Sequence, residues 1–105
     1  ERSSVAWSIA NSGIASEFEV LAFLVSAGVD WARKGAAAAA HLNPLDPPMK
    51  DLVGNFLAGG GSVSVCPPCA KVRGYSPDDL MPGAVLAGAP AMLEWVSRGA
   101  EVLSF

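Results

Sequence analysis

The two cysteines of the chain are three positions apart, in the motif Cys66-Pro67-Pro68-Cys69. A residue that precedes proline avoids the helical region, so Cys66 is expected to stay extended at the end of a strand, with a helix beginning near Pro68 or Cys69. The unpaired N–H groups and partial positive charge of a helix N-terminus favour thiolate over thiol. We therefore predict that Cys66 is the more reactive thiol, with a lowered pKa, and that Cys69 is less exposed.

This spacing is compatible with three kinds of site. The two Cα atoms are expected within the roughly 4.4–6.8 Å that a disulfide spans, so Cys66 could attack a persulfide or disulfide and Cys69 could resolve the adduct. A zinc site needs four ligands, and the chain offers only Cys66, Cys69 and His41, so such a site would be shared between subunits. The third interpretation is a structural pair of small apolar side chains.

Four further residues are candidates for a supporting role. Arg73 would place positive charge beside the thiolate, and His41, the only histidine, could act as a general base. Ser26 and Gly28 follow a predicted strand, and ligands of open parallel sheets gather beyond the carboxyl ends of the strands. The Gly59–Gly61 run is not expected to bind phosphate, because it ends a helix and enters a strand, which is the reverse of a phosphate-binding loop.

Strands and helices alternate along the chain, which predicts a three-layer α/β/α fold with a mostly parallel sheet in a single domain, residues 1–105. The segment 20–25 is apolar on both faces, as in a strand covered by helices on both sides. Predicted strands are 19–25, 62–65, 84–86 and 101–105. Predicted helices are 2–16, 29–34, 47–58, a short helix after the cysteines, 76–81 and 90–98. Ser3 or Ser4 is expected to cap the first of them, Asp46 the third, and Ser76 the helix 76–81, with Asp79 in a capping box. The segment 35–43 is expected to be a mobile loop or a ragged helix.

The composition excludes several functional classes. Seven scattered lysines and arginines, a net charge of −3 and a pI near 4.9 argue against direct nucleic-acid binding. The longest apolar stretch is far shorter than the ~20 residues of a membrane span, and no signal-peptide pattern is visible, so we expect a cytoplasmic protein without a membrane partner. No cofactor motif is present, and we expect no cofactor. The low charged fraction, 16%, and the tryptophans Trp7, Trp31 and Trp95 predict self-association.

Three stretches of the chain resemble the TusD-related DsrE/DsrF-like family of small sulfur-handling proteins. The most specific feature is Cys66 followed by Arg73-Gly74, since the family's reactive cysteine similarly ends a strand, with a basic residue and glycine closing the next short helix. The resembling stretches are ERSSVAWSIANSGIASEFEVLAFLVSAGV, residues 1–29, DPPMKDLVGNFLAGGGSVSVCPPCAKVRGY, residues 46–75, and GAPAMLEWVSRGAEVLSF, residues 88–105.

The resemblance implies that Cys66 is the reactive thiol of a sulfur-transfer or thiol redox protein, as a sulfurtransferase or relay carrier. Cys69 has no counterpart in the sulfur-relay members and marks a CPPC-bearing subgroup. Trimers or hexamers and a protein that donates or accepts sulfur are the implied partners. Family members begin with a strand before the first helix, so the sequence is expected to lack that strand. The alternative is a non-catalytic oligomeric binding or structural subunit, with Cys66 and Cys69 structural or bound to metal.

Overall fold

The computed structural model describes all of residues 1–105, and its centre is a three-stranded parallel sheet whose strands lie side by side in chain order. The predicted α/β class with a parallel sheet is confirmed. The strands are β1 (Leu21–Leu24), β2 (Ser62–Val65) and β3 (Ala84–Leu86). The helices are α1 (Arg2–Ala15), α2 (Met49–Ala58), α3 (Pro67–Val72) and α4 (Ala89–Ser97), with 3₁₀ helices at Ser26–Ala32 and Pro77–Asp79.

The hydrophobic core lies between one face of the sheet and helices α1 and α2. Val63 pairs with Ala22 on one side and Ala84 on the other, so the three side chains lie on one face, and Val65 continues that face. The apolar residues of α2 recur at helical spacing, so four of its side chains are buried in this core: Met49, Leu52, Val53 and Phe56. The Phe56 ring packs edge-on against Trp7 of α1, with ring centroids 5.4 Å apart.

The turn between α2 and β2 requires glycine at two positions. Gly60 has φ +94°, a conformation that residues with a Cβ rarely adopt. At Gly61 an added Cβ would overlap the ring of Phe56. The glycine run therefore ends α2 and brings β2, the strand that precedes the cysteines, directly against the core.

Three predictions about helix starts are wrong. Asp46 does not cap α2, whose N-cap residue is Pro48, because its carboxylate instead accepts a hydrogen bond from the buried Ser4 hydroxyl at 2.9 Å. Neither Ser3 nor Ser4 caps α1, which begins after Glu1. In place of the predicted helix 29–34, a 3₁₀ helix begins at Ser26, separated from the end of β1 by one residue. Ser4 and Asp46 are thus used to join α1 to the segment before α2.

The predicted helix 76–81 is instead a short 3₁₀ helix, Pro77–Asp79, in which the predicted contact between Ser76 and Asp79 is present. The Asp79 carboxylate accepts hydrogen bonds from the backbone N–H of Ser76 at 2.8 Å and from the Ser76 hydroxyl at 3.1 Å, and these bonds hold the pKa of Asp79 below its ordinary value. The backbone N–H groups of Lys34 and Met81 bond across to Asp79 and Ala32. This pairing fixes the end of the first 3₁₀ helix against the second. Of the two alternatives for segment 35–43, a loop or a ragged helix, the structure has the loop, with turns and no helix.

The predicted strand 101–105 is not formed. These residues make no backbone hydrogen bond, and Val102, Leu103 and Phe105 are exposed. A strand is stabilised by pairing with a neighbour, and this segment pairs with none of the three strands of the sheet. Helix α4, which precedes it, has no fully buried residue. None of the helices combines the length and apolarity that a membrane crossing needs.

Candidate functional site

Both cysteines lie where β2 leaves the sheet at its carboxyl end. Cys66 is the N-cap residue of α3, with φ −58° and ψ 117°, so its backbone avoids the helical region before proline, as predicted. Pro67 and Pro68 occupy the first turn, where the absence of an N–H costs no helical hydrogen bond. The helix therefore begins at Pro67, slightly earlier than predicted. Both cysteines are free and half-buried.

The sulfur of Cys69 accepts a hydrogen bond from a residue that follows the neighbouring strand, β1. The backbone N–H of Ser26 donates a hydrogen bond to Cys69 Sγ, with a distance of 3.2 Å between N and S. Ser26 follows β1 in a left-handed conformation, φ +50°, which is uncommon for a residue with a side chain. Ser26 therefore lies next to the cysteines, as predicted, and it contributes its backbone N–H as a hydrogen-bond donor.

The two thiols differ in their affinity for a proton. The pKa of Cys69 is lowered by a hydrogen bond from the Cys66 thiol, by the Ser26 N–H and by the charge of Arg73. The pKa of Cys66 is raised because its thiol is the donor to Cys69, an effect that outweighs the lowering by the Cys69 backbone. These contacts favour the thiolate at Cys69 over the thiolate at Cys66, which is the opposite of the predicted order. The Cys69 backbone N–H at the start of α3 lowers the pKa of both thiols, whereas the Ser26 N–H reaches only Cys69.

Arg73 is held beside this pair by two contacts. Its Nη1 donates to the backbone carbonyl of Cys69 at 3.1 Å, and its Nε lies 3.6 Å from Oδ1 of Asp30. The guanidinium therefore adds positive charge near Cys69, as expected of a basic residue at this position. Gly74 then ends the helix with φ +76°.

Asp30 and Tyr75 belong to the site and are missed by the sequence analysis. The Tyr75 hydroxyl donates to Oδ1 of Asp30 at 2.6 Å, and this bond raises the pKa of Tyr75. The Arg33 guanidinium lies over the Tyr75 ring, 5.9 Å from its centroid. Tyr75 directly follows the Arg73-Gly74 pair, but no local pattern indicates a partner 45 positions away.

An open cavity of about 430 Å³ lies beside the first 3₁₀ helix, with Gly28, Asp30, Trp31 and Arg33 among its lining residues. Gly28 is therefore part of the cavity wall, and no hydrogen bond joins it to the cysteines. Asp30 connects the cavity to the thiol pair, since the same carboxylate binds Tyr75 and Arg73.

His41 does not join the cysteines. Its Nε2 is paired with the backbone carbonyl of Asp46 at 2.7 Å on the exposed segment before α2. The chain brings together no group of three or more His, Cys, Asp or Glu side chains that could hold a metal ion. The zinc hypothesis with Cys66, Cys69 and His41 as ligands is therefore not supported within one chain, and nothing connects His41 to the thiols as a general base.

Fold and site together define a small parallel α/β protein with a thiol pair at the carboxyl edge of its sheet. The model of the DsrE/DsrF-like family matches residues 1–105, and the chain belongs to that family. The resemblance to this family that the sequence indicates is thereby confirmed.

Similar proteins are known from archaea and bacteria. An uncharacterized protein of Methanopyrus kandleri is 31% identical over 106 residues, covering 100% of this chain and 83% of the relative. An uncharacterized protein of Methanocaldococcus jannaschii is 33% identical over 106 residues, covering 100% and 88%. The crystal structure of the ychN protein from E. coli is similar with a TM-score of 0.75 and 20% identity, covering 94% of this chain and 82% of that one, and supports the fold.

Proposed function

We propose that this protein transfers sulfur, or exchanges thiols and disulfides, through the Cys66–Cys69 pair. The observation that carries the proposal is the hydrogen bond from the Ser26 N–H to Cys69 Sγ, next to the Arg73 guanidinium. A thiolate is the nucleophilic form of cysteine, and a backbone donor with a nearby cation stabilises it. Cys69 is therefore assigned the first attack and Cys66 the second, the reverse of the roles implied by the resemblance.

The loading step is a sulfur transfer. The Cys69 thiolate attacks the terminal sulfur of a donor persulfide, R–S–SH, forming a new bond to Cys69 Sγ while the donor S–S bond breaks. The donor leaves as the thiolate R–S⁻, which takes the electron pair of the broken bond. Cys69 then carries the persulfide Cys69–S–SH.

The loaded sulfur has two exits. In a relay, an acceptor thiolate attacks the terminal sulfur, takes it as a persulfide and returns Cys69 to thiolate. In the redox branch, Cys66 loses its proton and attacks Cys69 Sγ, so that a Cys66–Cys69 disulfide forms and the terminal sulfur leaves as hydrosulfide, which that proton converts to hydrogen sulfide. A dithiol reductant then restores the two thiols. Protein donors or acceptors in the cytoplasm are the proposed partners.

Mass spectrometry of the native protein, exposed to a persulfide donor at several pH values, tests the proposal. Loading is expected on the peptide that carries Cys69, with a rate that declines only when the pH falls through the lowered pKa of that thiol. Below that pKa the protonated sulfur no longer attacks. Absence of a persulfide or mixed disulfide on either cysteine would contradict the proposal and favour a non-catalytic binding subunit.

We also propose that the chain binds a second copy of itself. The prediction that Trp7 is an exposed contact residue is wrong, because Trp7 is buried in the core. Trp31 and Trp95 are only half-exposed. The support comes instead from the carboxyl-terminal segment 101–105, where Leu103 is 71% exposed and Val102 60%. Apolar side chains this exposed on adjacent positions favour association.

Sedimentation at tens of micromolar tests self-association. Leu103→Asp is expected to shift the protein towards monomer, because the carboxylate would have to be desolvated in the contact. Ser104→Asp adds the same charge at the next position and is the matched control, expected to have a smaller effect. A monomer in the unmodified protein, or equal effects of both variants, would remove this segment as the contact.

A further inference from the structure

We propose that Asp30 is a positioning residue for the Cys69 thiolate, because its carboxylate clamps the Ser26–Ala32 3₁₀ helix to the end of α3 through Tyr75 and Arg73. The inference rests on the proposed function, in which Cys69 makes the first attack. Asp30 itself touches neither sulfur. It acts through the elements that bring the Ser26 N–H and the Arg73 guanidinium to Cys69.

Two elements meet at the clamp, and each provides part of the thiolate environment. The 3₁₀ helix carries the Ser26 N–H at its start and Asp30 one turn later. The other side consists of α3, with Cys69, and of Arg73 and Tyr75 directly after it. Three polar contacts join the two sides: Ser26 to Cys69, Tyr75 to Asp30 and Arg73 to Asp30. Asp30 makes two of them.

The contact that Asp30 supports is easily lost. The N–H of Ser26 reaches sulfur at 3.2 Å from a left-handed backbone conformation, which costs free energy for a residue with a Cβ. Such a conformation persists only where its surroundings hold it. If the 3₁₀ helix separates from α3, Ser26 can relax and its N–H moves away from the sulfur.

The Tyr75 bond is the stronger half of the clamp. The Arg73 and Asp30 side chains are 29% and 50% exposed, and an ion pair in such surroundings contributes little alone. The Tyr75 hydroxyl binds the carboxylate at 2.6 Å, a short hydrogen bond to a charged acceptor. This bond also raises the pKa of Tyr75, so the phenol remains a donor while the thiol titrates.

The negative charge of Asp30 and its positioning role have opposite effects on the pKa of Cys69. The direction in which that pKa changes in a variant therefore tests the proposal. The charged or titratable groups around Cys69 are Cys66, Arg73, Asp30, Tyr75 and Arg33. A carboxylate near a thiolate disfavours it, so the removal of the Asp30 charge alone would lower the pKa of Cys69. Loss of the clamp would raise it, because the Ser26 donor and Arg73 are no longer held in place.

The experiment titrates Cys69 alone, in full-length Cys66→Ser protein, by the ultraviolet absorbance of the thiolate. Tyr75, the only tyrosine, is followed separately by the longer-wavelength absorbance of tyrosinate. Asp30→Ala removes the clamp and a charge, and Tyr75→Phe removes the stronger contact without a change of formal charge at neutral pH. Asp78→Ala is the matched control, because this exposed carboxylate makes no side-chain hydrogen bond.

Asp30→Ala is expected to raise the pKa of Cys69 by about 0.5 to 1 unit, which reduces sulfur loading at neutral pH by roughly 3- to 10-fold. Tyr75→Phe is expected to raise it by about half as much, and Asp78→Ala to leave it unchanged. An unchanged or lower pKa after Asp30→Ala overturns the proposal. If that variant does not fold, the direction of the Tyr75→Phe shift decides in the same way.

The parent protein separates this inference from the proposed function. If the pKa of Cys69 in Cys66→Ser protein is not below the ordinary thiol value, the thiolate assignment fails and the positioning role fails with it. If it is lowered and the Asp30 and Tyr75 variants do not raise it, only the positioning role is wrong.

Discussion

Replacing Cys69 by serine is expected to reduce sulfur loading from a persulfide donor by at least about tenfold at neutral pH, because it removes the thiol that the Ser26 N–H and Arg73 favour as thiolate and leaves Cys66 without the Ser26 donor. Each unit of pKa changes the thiolate fraction about tenfold at a pH well below the pKa. The serine hydroxyl preserves the size and the polar contacts of the removed thiol. Circular dichroism of the variant separates a chemical loss from an unfolded site, and loading is read by mass spectrometry of the Cys66 peptide.

Cys66→Ser is the matched control and has a different expected result. This variant keeps the Ser26 donor and Arg73, so Cys69 still loads. It cannot form the Cys66–Cys69 disulfide, and the persulfide therefore persists until an external thiol removes it. Release of sulfide in the absence of an acceptor should fall to background. If Cys69→Ser loads as fast as the unmodified protein while Cys66→Ser does not load, Cys66 makes the first attack, as the resemblance implies.

The neighbourhood of the motif was predictable because it depends on local rules. The restriction that proline places on the preceding residue correctly puts Cys66 at the boundary between β2 and α3. Asp79 likewise behaves as its type predicts, because its carboxylate accepts a hydrogen bond from the backbone N–H of Ser76, three positions earlier. In both places, residues within three positions of one another determine the backbone, and sequence patterns report such short-range effects well.

The order of the two pKa values could not be predicted in the same way. It depends on a backbone N–H of Ser26, which is 43 positions from Cys69, and on the exact turn that follows β1. The Asp30–Tyr75 bond and the Ser4–Asp46 bond likewise join residues more than 40 positions apart. Asp46 shows where a local rule fails: an aspartate at this position suits a helix cap, but its carboxylate binds the hydroxyl of Ser4 instead.

The segment 101–105 illustrates the same limit for a strand. Its apolar residues suit an extended conformation, and that pattern alone predicted pairing. Pairing depends on a neighbour with free backbone groups, which the apolar pattern of the segment does not reveal. In the structure these side chains are instead exposed, which is why the segment supports the proposal of self-association.

Phe56→Ala is expected to lower the free energy of unfolding by about 3 to 5 kcal/mol, the usual range for removal of a fully buried phenylalanine. The ring is 0% exposed, packs edge-on against Trp7 and fills the space over Gly61 at the start of β2. Alanine would leave a cavity bounded by α1, α2 and the sheet, and the glycine turn would lose the surface on which it rests. Equilibrium urea unfolding measures the loss.

Phe18→Ala is the matched control, since it deletes the same ring from a side chain that is 70% exposed. A surface substitution of this kind usually changes stability by no more than about 0.5 kcal/mol. A domain of this size has a total stability of about 5 to 15 kcal/mol, so Phe56→Ala should move the urea midpoint by a large fraction while Phe18→Ala leaves it nearly unchanged. Equal midpoints for the two variants would contradict the placement of Phe56 in the core, and with it the packing that holds β2 and its cysteines against α2.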